Sequence, residues 1–435
     1  MFKFGIGEIM NYIGKMVEIV FRNALKEDEI KGTILPSSTD KTYILKLKNG
    51  YNVGILKENI VIIKETQEKM ETIETIKEKK VSQDINKPKV LIFSVGGTIA
   101  SKIDYNTGGV SAQFSADDLL NLIPELKSLA NIEAYSFSNL LSENITSKHW
   151  EEIAKAVYKK IKDGEYKGII ITHGTDTLHY TSGALSFLLN GTNIPIILVG
   201  AQRSSDRPSS DSTYNLLGAV KFILESKKGG VFVSLHSGNS DNEINIILGT
   251  RARKMHSSKR DAFKSINKGI VAKVIFDLRN IKNSKVEFFE AYNELNSEQK
   301  LTEPGKLNNK VYLLKFFPGQ DPQIISYLKK EGYKIVIIEG TGLGHVADNF
   351  IDFIRKEKDI VFFMTVQTIY GRTNMGVYST GIKLKDAGVI ELKDMLSEVA
   401  FVKGQHVLGK TDKKAEIIDL MTKPLFFEMG NRTEE

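Results

Sequence analysis

Two short motifs in this sequence combine threonine hydroxyls with glycines: Gly-Gly-Thr at residues 96–98 and His-Gly-Thr-Asp-Thr at residues 173–177. Each motif directly follows an apolar run, at residues 90–95 and 169–172, which predicts that both lie at the carboxyl ends of buried strands. Open α/β sheets carry their functional sites at that edge of parallel strands. We therefore expect the two motifs to face one cleft.

The chemistry that suits these motifs is acyl transfer. A threonine hydroxyl beside glycine N–H groups supplies a nucleophile together with donors for an oxyanion. Because glycine lets the backbone approach a ligand closely, we expect Gly97 and Gly174 to contact substrate. Gly-Gly-Thr alone is equally compatible with a plain turn between a strand and a loop. The second motif is the stronger signal, because Asp176 adds a carboxylate beside the Thr175 hydroxyl.

A hydroxyl nucleophile also needs a base. A lysine that is desolvated, or that lies near another cation, can be neutral enough to accept a proton. Lys254, within the basic stretch of residues 249–256, is the candidate, and a carboxylate would hold it in place. Spacing alone does not distinguish Lys254 from any surface lysine in that stretch.

The chain contains no cysteine among its 435 residues. This composition excludes a thiol nucleophile, disulfides, iron–sulfur clusters and cysteine-ligated zinc. The seven histidines lack the spacing of zinc ligands, so we predict no metal site. The glycine-rich stretch at residues 339–345 lacks the Gly-Lys-Ser/Thr ending of a phosphate-binding loop, which argues against ATP binding there. Amide cleavage by this chain would therefore use oxygen nucleophiles.

The overall charge and hydropathy narrow the class of protein further. Lys and Arg number 60 against 53 Asp and Glu, giving a formal charge of +7, which permits contact with nucleic acid without demonstrating it. The start of the chain does not resemble a signal peptide, and no apolar stretch is long enough to cross a membrane. We therefore predict a cytoplasmic protein without membrane contact.

The sequence divides into a small β domain and a larger α/β region. Short, partly alternating runs separated by turn residues predict a five-stranded barrel of the SH3 or Sm type. Its expected extent is residues 1–66, followed by a charged linker at residues 67–87. Beyond it, strands alternate with amphipathic helices, which predicts parallel sheets covered on both faces. We place the two α/β domains at residues 88–300 and 310–425.

Residues 95–101 and 171–177 resemble the two signatures of the type I bacterial asparaginases. Residues 199–203 and 263–265 resemble further stretches of that family, and the resemblance extends over about residues 88–409. It implies an asparaginase-like α/β core of two parallel-sheet domains, preceded here by the small SH3/Sm-like β-barrel domain.

The resemblance also implies the catalytic roles. Thr98 and Thr175 would be the two catalytic hydroxyls, and Thr98 is our choice for attack on the side-chain amide. Thr175, Asp176 and Lys254 would form a relay that moves protons and activates water. Which threonine forms the acyl-enzyme stays open.

Two further positions match residues that hold the substrate's α-amino and α-carboxylate groups in asparaginases. Ser142 has a hydroxyl that would donate to a carboxylate, and Glu143 would pair with an ammonium. The alternative is that these two residues cap the helix that leads to Trp150.

The additional N-terminal β unit narrows the resemblance to the D-subunit family of archaeal glutamyl-tRNA(Gln) amidotransferases. That resemblance implies a glutaminase subunit that releases ammonia from glutamine or asparagine and binds no cofactor itself. ATP and magnesium would be used by a kinase/transferase partner of the E type, which converts Glu-tRNA(Gln) to Gln-tRNA(Gln). The implied assembly contains a homodimer of this chain within a heterotetramer of two D and two E subunits, with tRNA contacted indirectly.

Two alternatives remain. A free-standing cytoplasmic type I L-asparaginase would use the same catalytic residues, with the barrel serving only folding or assembly. A barrel-led RNA-binding protein with an inactive hydrolase core is the third possibility. The intact set of Thr98, Thr175, Asp176 and Lys254 argues against an inactive core.

Overall fold

The computed structural model describes the chain in the following parts: residues 12–22, 26–36, 38–39, 41–47, 52–66, 84, 86–97, 102–103, 110–111, 119–120, 123–203, 209–295 and 300–434. Thr98 lies outside the described residues, as does most of the predicted linker at residues 67–87. Among the described helices, none has the length and apolar character that crossing a bilayer requires.

The N-terminal domain is a small antiparallel β structure, as the sequence predicts. Its five strands pair in the order β4-β3-β2-β1-β5. They are β1 (Met16–Arg22), β2 (Glu27–Ile34), β3 (Thr42–Lys46), β4 (Asn52–Leu56) and β5 (Ile60–Glu65). Alternate residues such as Val17, Ile19 and Leu45 are fully buried, because successive side chains of a strand point to opposite faces.

The second domain is built around an eight-stranded sheet with the order β17-β16-β13-β12-β11-β10-β6-β9. Its strands are β6 (Lys89–Ser94), β9 (Asn131–Ser136), β10 (Tyr166–Thr172), β11 (Pro195–Val199), β12 (Gly230–His236), β13 (Glu243–Leu248), β16 (Ala272–Ile275) and β17 (Lys285–Phe288). Short two-stranded pairs join β7 (Lys102–Ile103) to β8 (Val110–Ser111) and β14 (Ala252–Lys254) to β15 (Phe263–Ser265). The helices are α1 (Glu125–Leu129), α2 (Ser147–Asp163), α3 (Leu178–Leu188), α4 (Ser212–Glu225) and α5 (Glu290–Asn293).

Five strands of this sheet, from β9 to β12, run parallel, but β13, β16 and β17 are antiparallel to their neighbours. The prediction of a parallel sheet is therefore correct for the part of the sheet that carries the two motifs and wrong for β13, β16 and β17. For β13 the reason is the connection after β12: residues 237–242 are too few for the crossover that a parallel neighbour requires.

The third domain has a four-stranded parallel sheet in the order β18-β19-β20-β21. Its strands are β18 (Val311–Lys315), β19 (Ile335–Gly340), β20 (Val361–Val366) and β21 (Ile390–Glu391). Its helices are α6 (Gln323–Lys330), α7 (Asp348–Lys356), α8 (Ser379–Asp386), α9 (Ser397–Leu408) and α10 (Lys414–Thr422).

The two α/β domains share one apolar core. Phe93 and Ile169 of the second domain belong to the same buried cluster as Ile335 and Phe363 of the third. Helix α9 lies at this junction, and a methyl group at Gly183 of α3 would lie 3.2 Å from the Val402 side chain. Burial of each large apolar side chain contributes about 1.5–3 kcal/mol, so this shared core fixes the two domains against each other.

Helix α2 illustrates how the sequence pattern produces the packing. Trp150, Ile153, Ala154 and Val157 form its buried stripe, as their helical spacing predicts, and lysines and glutamates occupy the other face. Thr146 and His149 form a capping box at its start. The suggestion that Ser142 and Glu143 cap this helix is therefore wrong, since the N-cap residue is Thr146.

Candidate active site

The two threonine motifs follow adjacent strands and meet at one edge of the sheet. Ser94 at the end of β6 is in register with Thr172 at the end of β10, which is in turn in register with Val199 of β11. The Val95 N–H continues the ladder by donating to the Thr172 carbonyl at 3.1 Å. The loops that follow these three parallel strands therefore begin at the same edge of the sheet.

Glycine allows the two motifs to touch. Gly97 has a φ of 90°, a left-handed conformation that side chains disfavour. A Cβ atom on Gly97 would lie 2.6 Å from the carbonyl carbon of His173 and 2.7 Å from the Gly174 nitrogen. The loop that leads into Thr98 therefore packs directly on the backbone of the second motif, although Thr98 itself lies outside the described residues.

Lys254 reaches both polar groups of the second motif. Its Nζ donates to Thr175 Oγ1 at 2.8 Å and to Asp176 Oδ1 at 2.7 Å. The lysine side chain is 9% exposed whereas that of Asp176 is 71% exposed, so the ammonium is shielded while its carboxylate partner faces solvent. This arrangement can hold the Thr175 hydroxyl in one orientation and exchange protons with it.

His173 holds the backbone of the second motif in place through its hydrogen bonds, a role that the sequence patterns do not predict. It is buried, which lowers its pKa to about 4 and keeps the ring neutral near pH 7. The ring contacts the Gly174 carbonyl through Nδ1 at 2.7 Å and Thr181 Oγ1 through Nε2 at 2.9 Å. Thr181 also accepts from the Trp150 indole N–H at 2.9 Å.

One set of proton positions satisfies this whole chain of groups. The neutral His173 ring donates from Nδ1 to the Gly174 carbonyl, and its Nε2 accepts from the Thr181 hydroxyl, which accepts from Trp150. Each buried polar atom then has a partner, so the network fixes the loop that carries Thr175. The only signal in the sequence was the histidine directly before the Gly-Thr pair.

A second buried histidine, His179, lies near Lys254. Burial, followed by the positive charges of Arg253 and Lys254, lowers the pKa of His179 to about 3. Its ring packs against Tyr180 and Phe263, and Nδ1 has no hydrogen-bond partner within the described part of the chain. A neutral imidazole here adds apolar shielding without placing another positive charge next to Lys254.

Ser142 and Gly174 lie against each other at the other side of the motif. A Cβ atom on Gly174 would be 2.9 Å from the Ser142 hydroxyl oxygen. Thr177 Oγ1 donates to the Ser142 carbonyl at 2.6 Å and thereby ties the two segments together. Ser142 is buried, and Glu143, in the same 3₁₀ turn, is exposed.

The loop after β11 packs against the Thr175 side chain. A Cβ atom on Gly200 would lie 2.7 Å from the Thr175 methyl carbon. Asp211 holds this loop by accepting from the backbone N–H groups of Gln202 and Arg203, each at 3.0 Å. The resemblance at residues 199–203 pointed to this loop without indicating the supporting carboxylate.

The sequence-predicted residues thus separate into three groups. The structure brings Gly97, Ser142, Gly174, Thr175, Asp176 and Lys254 together. It places Glu143 in the same turn as Ser142, and Thr98 is not described.

The basic stretch around Lys254 is largely occupied by ion pairs. Arg251 pairs with Asp394, and Arg253 pairs with Glu398. Arg260 pairs with Asp241 at 2.8 Å. These arginines therefore do not form a free patch for a polyanion. Within the described residues, no group of three or more His, Asp or Glu side chains could hold a metal ion.

Three protein families match successive parts of the chain. Residues 14–64 match the GatD N-terminal domain, residues 89–289 match the asparaginase N-terminal family, and residues 310–421 match the glutaminase/asparaginase C-terminal domain.

Among solved structures, an L-asparaginase from Thermococcus kodakarensis is 31% identical with a TM-score of 0.70, covering 79% of this chain and 99% of that protein. L-asparaginase I from Vibrio cholerae has the same fold at 23% identity, with a TM-score of 0.66 and coverage of 79% and 99%.

Several archaeal proteins named as the D subunit of glutamyl-tRNA(Gln) amidotransferase match over nearly their whole length. The protein from Methanococcus maripaludis strain S2 is 42% identical, with 96% of this chain and 98% of the relative covered. The protein from Methanopyrus kandleri is 41% identical, with 90% of this chain and 86% of the relative covered. The protein from Pyrococcus abyssi is also 41% identical, with 94% of this chain and 93% of the relative covered. The chain therefore belongs to the D-subunit family of glutamyl-tRNA(Gln) amidotransferases and carries the asparaginase-like amidohydrolase core of that family.

Proposed function

We propose that this chain is the glutaminase subunit of a tRNA-dependent amidotransferase, releasing ammonia from glutamine, or from asparagine, for a partner subunit. The observation that carries the proposal is the contact of Lys254 Nζ with Thr175 and Asp176, at 2.8 and 2.7 Å, in a chain that also has the GatD N-terminal domain. The partner would use the ammonia to convert Glu-tRNA(Gln) to Gln-tRNA(Gln).

In the proposed first step, the Thr98 hydroxyl oxygen adds to the carbon of the side-chain amide. The hydroxyl proton passes through Thr175 and Lys254 to the departing nitrogen, so that ammonia leaves and an ester forms on Thr98. Asp176 holds the lysine in reach of Thr175 throughout. The buried position of Lys254 supports this role, because it limits exchange of the relayed proton with bulk water.

In the proposed second step, water attacks the ester carbon after giving a proton to the Thr175 and Lys254 pair. That proton returns to Thr98 as the ester bond breaks, which releases glutamate and restores the hydroxyl. One water is consumed for each ammonia formed. Gly97 and Gly174 would line the reacting group, while Ser142 and Glu143 would hold the α-carboxylate and α-ammonium of the substrate.

We also propose the partner arrangement that the family resemblance implies. The partner is a kinase/transferase subunit of the E type, which holds ATP and magnesium, while this chain needs no cofactor and contacts tRNA indirectly. Two copies of each subunit form a cytoplasmic heterotetramer around a homodimer of this chain. Exposed apolar side chains near α8 support self-association: Tyr370, Val377, Tyr378 and Ile382.

Formation of Gln-tRNA(Gln) tests this function. The chain with its partner, ATP, magnesium and glutamine should form Gln-tRNA(Gln), and the Thr98→Ala variant should not. Ammonium chloride should restore the product with Thr98→Ala, because it replaces only the ammonia source. Lys259→Ala, which alters an exposed lysine shortly after Lys254 in the chain, is the matched control and should retain full activity.

The alternative, a free-standing asparaginase, draws support from the 31% identity to the Thermococcus kodakarensis asparaginase. Strong asparagine turnover by the chain alone, unchanged by partner or tRNA, would favour it. Product formation that does not depend on Thr98 when glutamine is the only nitrogen source would contradict the role of Thr98 as nucleophile. Absence of product with glutamine, in an assembly that forms it with ammonium chloride, would contradict the glutaminase function.

A further inference from the structure

The last stretch of the chain, which we call the C-terminal tail (residues 423–434), crosses from the third domain to the strand that carries Lys254. It lies beyond the residues matched by the glutaminase/asparaginase C-terminal domain, which end at 421. Thr250 Oγ1 donates to the Phe426 carbonyl at 2.7 Å, and Arg251 Nε donates to the Phe427 carbonyl at 2.6 Å. Both donors directly precede β14.

A buried carboxylate joins the same strand to the same tail. The two terminal nitrogens of Arg251 each donate to one oxygen of Asp394 at 3.2 Å. The other oxygen of Asp394 accepts from the Gly430 N–H at 2.8 Å. Arg251 and Asp394 are 1% and 0% exposed, so this connection is made without water competing for it.

A second buried ion pair fixes the tail itself. Glu428 pairs with Lys403 of α9 at 2.6 Å, and both side chains are fully buried. The same carboxylate accepts from the backbone N–H groups of Leu425 and Phe426. The turn is held tightly enough to keep Phe427 at a φ of 57°, a conformation that is uncommon for aromatic residues. The carbonyls that receive Thr250 and Arg251 are thus held in place.

A contribution to the stability of the fold does not by itself explain why these charged side chains are buried. Replacing a buried ion pair by apolar side chains is often neutral or stabilising, because desolvation offsets the attraction. What such pairs provide is fixed geometry. Strand β14 has three residues and pairs only with β15 among the described strands, so its own ladder holds Lys254 weakly. A misplacement of about 1 Å in a catalytic group lowers rates about 100-fold.

We propose that the C-terminal tail is a positioning element for Lys254. By accepting hydrogen bonds from Thr250 and Arg251, the tail keeps Lys254 within hydrogen-bond reach of Thr175. The inference rests on the proposed catalytic role of Lys254. Among the described residues no hydrogen bond joins the tail to Thr175, Asp176 or Lys254, so its effect on the site would pass through Thr250, Arg251 and β14.

The variant Thr250→Val tests the proposal, because it removes the hydrogen bond to Phe426 while nearly preserving volume. We expect kcat for ammonia release from glutamine by the complete assembly to fall about tenfold with KM within about twofold. The pH profile of kcat should shift as well, since Lys254 changes its surroundings. Thr250→Ser should restore both, and Thr250→Ala removes the same hydrogen bond should the valine variant not fold.

Lys268→Met is the matched control. It breaks the ion pairs of Lys268 with Glu434 and Glu294 and removes the ammonium from above the Phe427 ring, but it deletes none of the hydrogen bonds that Thr250 and Arg251 donate. Its kcat and pH profile should equal those of the unmodified chain. A Thr250→Val variant that loses thermal stability but keeps its kcat and pH profile would overturn the proposal, because the tail would then be purely stabilising.

Amide hydrogen exchange separates failure of this inference from failure of the proposed function. If the unmodified assembly releases no ammonia, the proposed function fails, whereas the positioning is still measured on the peptide that covers β14. Its exchange should rise in Thr250→Val and not in Lys268→Met. Equal exchange in the valine variant and the unmodified chain would contradict the role of the tail.

Discussion

The two sides of the candidate site are held by different kinds of structure. The threonine side consists of loops after β6, β10 and β11, which strand register and close glycine contacts bring together. The lysine side consists of one three-residue strand, which ion pairs and tail carbonyls from the third domain hold in place. Local strand geometry therefore determines the first side, and contacts between residues more than 140 positions apart determine the second.

This difference suggests that the two sides respond to mutation in different ways. A change at the glycines of the threonine side should disturb folding of the sheet edge, because the motifs pack backbone against backbone there. A change on the lysine side should alter catalysis with the fold retained.

The largest effect on stability should come from Gly97→Ala. Alanine at this position would have to adopt the left-handed backbone conformation of Gly97. Its methyl group would also lie only 2.6–2.7 Å from backbone atoms of His173 and Gly174. Backbone strain and overpacking together should lower the free energy of unfolding by about 4 kcal/mol. Denaturant unfolding measures this loss.

Gly388→Ala is the matched control for that substitution. Gly388 also has a positive φ, of 98°, but a methyl group there would meet no atom of the described residues within 4 Å. We expect a loss of about 1 kcal/mol from strain alone. Equal losses for the two variants would show that close packing of the motifs does not matter.

A smaller effect, of about 3 kcal/mol, should come from the titration of His173. Its pKa falls from 6.5 to about 4 in the folded chain because of burial. Between these values the unfolded chain binds the proton and the folded chain does not, so stability is lost as the pH falls through that window.

The variant His173→Gln should remove this part of the pH dependence. Unfolding free energies measured from pH 7 to pH 4 should decline less steeply than in the unmodified chain. An unaltered slope in His173→Gln would mean that His173 does not stay neutral in the folded chain.

The same contrast explains which features the sequence could predict. Apolar runs followed by Gly-Thr motifs predicted the threonine side, because strand ends and positive-φ glycines are encoded locally. Lys254 was assigned only through family resemblance, since its spacing from Thr175 carries no local signal. The antiparallel strands β13, β16 and β17 were missed because alternation of elements does not specify strand direction.

The supporting groups were the hardest to predict. The helical spacing of Trp150, Ile153 and Val157 is visible in the sequence, but the hydrogen bond from Trp150 to Thr181 depends on packing between α2 and α3. Asp394 and Glu428 are ordinary acidic residues in the sequence, and only the tertiary fold buries them beside Arg251 and Lys403. Such residues acquire their roles from long-range packing.

We propose above that amide cleavage by this chain depends on threonine hydroxyls served by Lys254. The most direct test is ammonia release from glutamine by the complete assembly carrying Lys254→Ala, with Lys259→Ala measured in parallel. We expect Lys254→Ala to remain folded and to lose at least about 1,000-fold in kcat, while Lys259→Ala keeps full activity. Near-full activity of the folded Lys254→Ala assembly would contradict this dependence on Lys254.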